Sequence, residues 1–271
     1  MKRIIYCAVA LLMAMACGQN KTDKVLVLYY SQTGTTETVA ELIRDYLDAD
    51  MEQVLPVAPY DGTYGETIAR GREEMTSGNY PELQPLKVNL KDYDVVFVGF
   101  PVWFGTYANP IETLLNTVDF NGKKVVPFCT FGSGGLDSSS KAIAKKLTGA
   151  QVLPGYGVRA ARIESAAAEV ERFLQENGYM EGETVALEPF SETVAVTEDQ
   201  SAIFDAAVKD YAMISAKAEE VAFRPVPEGM EYLFTARDLP RNPEFQGGAK
   251  TMKVYVLVEN DKDPVFTQVC R

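Results

Sequence analysis

The sequence predicts an α/β domain with a doubly wound parallel sheet of five strands and helices on both faces, followed by a small α+β unit. Three observations carry this. Short, fully apolar runs alternate with segments of helical period from residue 24 to residue 179. Those runs lack the in-out alternation of a half-exposed sheet, so they suit strands covered on both faces. Beyond residue 200 the order changes to one helical segment followed by stretches of period two.

The elements follow in order. "VLVLYY" (25 to 30) reads as a buried strand. Val39, Leu42, Ile43, Tyr46 and Leu47 recur at helical spacing. "QVLPV" (53 to 57) is a short second strand, and "GETIARGREEMTSG" (65 to 78) a polar helix ending at Gly78. "DVVFVGF" (94 to 100) is the third strand, and "PIETLLNTV" (110 to 118) a helix opened by proline. "KVVPFCTF" (124 to 131) is the fourth strand, and "DSSSKAIAKKL" (137 to 147) a helix capped by Asp137 or Ser138. "QVLPGYGV" (151 to 158) is the fifth strand, and "ESAAAEVERFLQENGY" (164 to 179) a helix stopped by Gly178.

Residues 180–200 read as a linker with one or two short strands. Residues 201–271 form the α+β unit. Its helix is expected along Ile203, Ala206, Ala207, Tyr211, Ile214, Ala218 and Val221, with Asp210 interrupting the face. "MEYLFTARDL" (230 to 239), "TMKVYVLVEN" (251 to 260) and "PVFTQVC" (264 to 270) alternate as antiparallel strands, the last two joined at "ENDKD". One helix followed by such a meander is a cystatin-like arrangement.

Composition removes several function classes. The 271 residues are 46% hydrophobic, which supports a packed core. Acidic residues outnumber basic ones, 38 to 26, for a net charge of −12. That balance argues against a nucleic-acid partner. There is no histidine, so histidine triads, general bases and metal ligands are excluded. Cys129 and Cys270 follow no metal-ligand or disulfide spacing, and no metal site is expected. Cys129 belongs to an apolar run and reads as a core residue.

Residues 1–17, "MKRIIYCAVALLMAMAC", have a basic start and an apolar stretch too short for a permanent membrane span. This is the form of an export signal, with an ordinary secretory signal cut near Ala16 or a buried helix as the alternatives to a lipoprotein leader. Ala16–Cys17 resembles the cleavage site of bacterial lipoproteins, in which Cys17 would carry the lipid; Ala14 departs from the leucine more usual there. Cleavage would remove Lys2 and Arg3 and take the net charge to −14. The expected location is the bacterial cell envelope, facing the periplasm or the surface, with the lipid as the only membrane contact.

In a doubly wound sheet, ligands bind beyond the carboxyl ends of the strands. Three loops lie there. "SQTGTTE" follows strand one: Ser31, Thr33, Thr35 and Thr36 supply hydroxyls, and Gly34 permits a tight turn with exposed amides. The helix start behind them can hold a phosphate without lysine or arginine. GxxxxGK[ST] and GxGxxG are both absent, so a single terminal phosphate is the fitting ligand. A plain helix-capping cluster is the alternative. "GFPVWFGTYANP" follows strand three and offers Trp103 and Phe104 as stacking walls, or as edge-of-core packing. "CTFGSGGLDSSS" follows strand four; Gly132, Gly134 and Gly135 allow close backbone approach, or simply make a turn.

Taken together, "LYYSQTGTTETVA", "GFPVWFGTYANPIETLL" and "PFCTFGSGGLDSS" resemble the three flavin loops of the flavodoxin-like proteins, in particular the short bacterial ones. The resemblance covers residues 24 to 178. It implies a flavodoxin-like fold and noncovalent FMN. By that resemblance Ser31, Thr33, Gly34, Thr35 and Thr36 hold the phosphate. Pro101, Val102, Trp103, Phe104 and Gly105 line one side of the ring. Thr130, Gly132, Ser133, Gly134 and Gly135 approach the other side. The inserted segment of long-chain flavodoxins is absent.

The expected activity is electron transfer or flavin-dependent oxidoreduction, with a redox protein or a small donor or acceptor as partner. Enzyme and carrier both remain open, and no catalytic residue is assigned. A lipoprotein that uses the fold and its C-terminal unit as a binding scaffold is the alternative from another class.

Overall fold

The computed structural model describes residues 23–183, 187–239 and 250–270. The export signal and the lipid-bearing Cys17 expected from the sequence lie outside the described residues. No helix among the described residues is long and apolar enough to cross a membrane.

The first unit contains β1 (Val25–Tyr29), α1 (Thr35–Leu47), β2 (Asp50–Gln53), α2 (Tyr64–Ser77), β3 (Val95–Trp103), β4 (Thr106–Tyr107), α3 (Asn109–Thr117), β5 (Lys124–Phe131), α4 (Leu136–Lys146), β6 (Gln151–Val152), β7 (Tyr156–Arg159) and α5 (Ala166–Glu176). The parallel strands are ordered β2-β1-β3-β5, and both β6 and β7 pair with β5. The order reverses between β1 and β3, which opens a crevice at their carboxyl ends.

Alternation within buried strands decides which helix packs where. Val27, Tyr29 and Phe97 face α1 and α5, meeting Val39, Ile43, Val170 and Leu174. Leu26, Leu28, Val96, Val98 and Phe100 face α3 and α4, meeting Ile111, Leu114 and Ile143. Each fully buried side chain of this size contributes about 1.5–3 kcal/mol. Cys129 lies inside this core, fully buried.

Two strands differ from the expectation. The second strand is Asp50–Gln53 rather than 53–57. It is an edge strand, so one side needs no apolar cover, and the apolar residues after it enter the loop; Pro56 there bridges to Leu83. The fifth strand is interrupted between β6 and β7 at Leu153, Pro154 and Gly155. Pro154 has no amide to give the ladder. The helix after β5 starts at Leu136 behind Gly135, with no side-chain cap from Asp137 or Ser138.

The second unit contains β8 (Val194–Ala195), α6 (Glu198–Val208), β9 (Ala216–Val226), β10 (Gly229–Asp238), β11 (Thr251–Glu259) and β12 (Val265–Cys270). Its antiparallel sheet is ordered β12-β11-β10-β9-β8, with Phe204 of α6 packed on Val221, Phe234, Val254 and Phe266. The helix expected along 203–221 stops at Val208, and residues 216–226 are strand instead. The cause is a β-bulge: Thr235 pairs with Glu220 but Ala236 pairs with Ala218. The extra residue shifts the parity, so Ala218 and Val221, three positions apart, come to the same buried face. A spacing of three imitates a helix.

The two units meet where β12 approaches β7 and the loop after β5. As the edge of its sheet, β12 has peptide groups with no neighbouring strand. The Val269 amide donates to Ser133 O at 2.6 Å, and Arg159 Nη1 donates to Phe266 O at 2.9 Å. Arg172 and Glu228 form an ion pair nearby at 2.5 Å.

Candidate functional site

Gly34 begins α1 with φ 88°, a left-handed conformation that suits glycine and turns the chain sharply. Ser31 Oγ accepts from the amides of Gly34 (3.1 Å) and Glu37 (3.3 Å), and so holds the loop in shape. The amides of Thr35 and Thr36, in the first turn of α1, have no partner among the described residues. The hydroxyls of Thr33 and Thr35 are 3.4 Å apart and exposed beside them. The Thr36 hydroxyl is committed elsewhere: it bonds the Thr130 hydroxyl at 2.8 Å, both residues being buried. That bond ties the end of β5 to the start of α1.

The second loop is a tight hairpin, with Val102 opposite Tyr107 and Trp103 opposite Thr106. Phe104 and Gly105 form its turn with φ 51° and 84°. Two positive φ values are the type I′ pattern, and a phenylalanine in that conformation is rare and strained. Phe104 is 39% exposed. Its ring rests on Gly71 of α2, and the Arg72 guanidinium lies 5.7 Å above it. Trp103 stands edge-on to Tyr60 and Tyr30, at 5.0 and 5.8 Å between ring centres.

Behind these aromatics is a buried polar network. Tyr60 Oη donates to Glu74 Oε2 at 2.5 Å, Asn109 Nδ2 to the same oxygen at 2.7 Å, and Arg70 Nε to Oε1 at 2.8 Å. Gln32 receives the Tyr30 hydroxyl and donates to the Tyr60 carbonyl. Burial raises the pKa of both phenols; the hydrogen bond to Glu74 adds to the rise at Tyr60, and Glu74 nearby adds to it at Tyr30. They are therefore fixed donors that brace Trp103 from behind. Tyr107 is likewise structural: it is buried and donates to Glu112 at 2.6 Å.

The third loop divides its glycines between two tasks. A Cβ on Gly134 would lie 2.2 Å from Val269 O, and one on Gly135 would lie 2.6 Å from Val102 Cγ1. Their lack of a side chain serves contacts within the protein. The Ser133 carbonyl is taken by Val269. Gly132 lines the cavity; a Cβ on it would lie 3.2 Å from Tyr211 Oη, and its carbonyl accepts from Arg159 Nε at 2.9 Å.

Between the loops lies a cavity of about 600 Å³, within the range of small-molecule sites. Thr33, Thr35 and Thr36 line it at one end. Pro101, Val102, Trp103 and Phe104 line one flank, and Thr130 and Gly132 the other. Ser31, Gly34, Gly105, Ser133, Gly134 and Gly135 support these walls without lining the cavity. The sequence reading missed Gly62, Tyr64, Thr67, Ile68 and Arg72, which α2 and the loop before it add to the wall. One signal was available: "YDGTYGE" puts two tyrosines in a polar turn, and Tyr64 is 84% exposed. A larger groove of about 750 Å³ beside residues 82–91 and 113–123 lies at the amino ends of β3 and β5, away from all three loops.

Over 113 residues the chain is 32% identical to flavodoxins from two strains of Nostoc sp., covering 40% of this chain and 52% of theirs. It thus spans about half the length of the curated relatives it matches. A candidate flavoprotein from Bacteroides uniformis has a solved structure 29% identical, with a TM-score of 0.50, covering 56% of this chain and 99% of that one. A flavoprotein from Lactobacillus acidophilus solved in complex with FMN is 25% identical, with a TM-score of 0.47, covering 55% of this chain and 97% of that one. The family model for flavodoxin matches residues 24–172, more than half of the chain, and the protein belongs to the flavodoxin family.

Proposed function

We propose that this flavodoxin-family chain binds FMN noncovalently between the three loops and acts as an electron-transfer flavoprotein of the bacterial cell envelope. One observation carries the cofactor assignment. The start of α1 presents free amides and two exposed hydroxyls to a cavity whose other walls are aromatic on one flank and formed by Thr130, Phe131 and Gly132 on the other. This donor set fits a phosphate end and a planar ring end of one ligand. Bound FMN supplies the redox chemistry.

The chain's residues bind and shield. Thr33 and Thr35 give hydroxyls to the phosphate, Thr35 and Thr36 give amides, and Ser31 keeps those amides aimed. Trp103 and Phe104 wall the ring, and the Tyr60–Glu74 network holds Trp103 in place. Thr130 and Gly132 form the opposite wall. The acidic surface, net −12, favours docking on a basic redox partner over a small acidic substrate. The leader and Cys17 support an envelope location with a lipid anchor.

Purified protein should release FMN on denaturation, or take up added FMN. Replacing Thr33 and Thr35 by Ala should weaken FMN by about 1–3 kcal/mol and leave riboflavin nearly unchanged. Equal losses for both ligands refute the phosphate assignment, and no uptake of either refutes the cofactor. Anaerobic mixing with NADH or NADPH separates carrier from enzyme: slow bleaching fits the carrier, and fast bleaching refutes it. Fatty-acid labelling that survives Cys17→Ser refutes the anchor.

A further inference from the structure

The flavodoxin match ends at residue 172, yet the second unit touches the cavity wall. Arg159, the last residue of β7, stands at the junction. Its Nε donates to the Gly132 carbonyl at 2.9 Å and its Nη1 to the Phe266 carbonyl of β12 at 2.9 Å. The guanidinium also stacks on the Phe266 ring at 3.5 Å, and Tyr211 flanks it at 5.5 Å. One residue further along the loop, the Val269 amide holds Ser133 O. The next, Gly134, touches Val269 so closely that no side chain would fit. The third loop is thus held at three consecutive residues: Gly132 by Arg159 of β7, itself tied to β12, and Ser133 and Gly134 by Val269 of β12. Gly132 is the one of the three that lines the cavity.

We propose that the C-terminal unit is a clamp on the third loop, with Arg159 as the positioning residue, and that the clamp sets the cavity's affinity for the flavin ring. The second half of this rests on the function proposed above. A planar bidentate guanidinium suits the task, because one rigid group can bridge two carbonyls on different units. A lysine has a single nitrogen and cannot reproduce that fork. Without the clamp the Gly132–Gly135 turn keeps its own glycine freedom and loses its hold on β12. An ordered wall binds a rigid ligand more tightly than one that must be ordered on binding.

The test uses the full protein and two variants that act from opposite sides. Arg159→Ala removes the bridge from the flavodoxin side. Gly134→Ala forces β12 away while leaving Arg159 intact. Hydrogen exchange is measured at residues 131–135 in flavin-free protein, and FMN and riboflavin are titrated separately. Both variants should lose amide protection in the loop. Both should weaken FMN and riboflavin by the same factor, about tenfold, because the clamp acts at the ring end. The absorbance maxima of bound flavin should shift in both. Unchanged exchange in the loop overturns the clamp. Lost protection with unchanged flavin affinity and spectra overturns its role in binding and leaves a purely structural contact. A wild-type protein that takes up neither flavin refutes the proposed function and, with it, the affinity half; the exchange measurement still decides the clamp.

Discussion

Replacing Thr36 by valine removes one hydroxyl and keeps the side-chain shape. The hydroxyl bonds Thr130 at 2.8 Å, and the two residues are 1% and 4% exposed. The substitution would therefore leave the Thr130 hydroxyl buried without this partner. An unmet buried polar group costs about 1–3 kcal/mol, whereas removing both members of such a pair is nearly neutral. Thr36→Val and Thr130→Val should each destabilise by that amount. The double variant should recover most of it, giving a coupling energy of about 0.5–3 kcal/mol. Trp103 is the only tryptophan and stands 5.0 Å from Tyr60 within the same unit, so its fluorescence in urea reports the relevant unfolding. Single losses near zero, or a double loss equal to the sum of the singles, would refute the reasoning. The hydroxyl of Thr36 would then be free for a ligand after all.

Two further predictions concern the same crevice. Phe104→Asn relieves a strained left-handed position worth about 1–2 kcal/mol and removes an aromatic wall; flavin-free protein should melt no lower than wild type while flavin affinity falls, and undiminished affinity would take Phe104 out of the site. Burial pushes the pKa of Glu112 up, but hydrogen bonds from Lys146 and Tyr107 outweigh it and leave it below 4.5. Its stabilising contribution is therefore complete above pH 4.5 and is lost as pH falls through the lowered value. The urea midpoints of wild type and Glu112→Gln should differ at neutral pH and converge in acid; a gap that holds throughout would contradict this.

The parallel sheet was legible because its strands are covered on both faces, which leaves continuous apolar runs such as "VVFVGF" and "VVPFC". Its edge was not: "DMEQ" carries no such run because no residue of this edge strand is fully buried. The bulged β9 misled for a geometric reason, since an added residue converts period two into a helix-like spacing of three between Ala218 and Val221. At the site, residue types pointed to the right loops but could not divide labour within them. Thr33 and Thr36 read alike in sequence, and only the packing of Thr36 against Thr130 separates an exposed hydroxyl from a buried one. Gly132 and Gly134 likewise read as one turn until β12 is placed against it. Arg159 and Arg72 carried no local signal, because their partners come from distant segments.

That distance has a consequence for how the molecule is made. The bond from Arg159 to Phe266 joins residues 107 positions apart, and β12 follows every other described strand in the sequence. During synthesis the parallel sheet can assemble as soon as its own strands are available, since all of its pairings lie before residue 160. The grip on the loop after β5 has to wait until β12 has been made. A chain cut short by that one strand would carry a folded sheet and a loose third loop, so completion of the crevice reports that synthesis has run through β12.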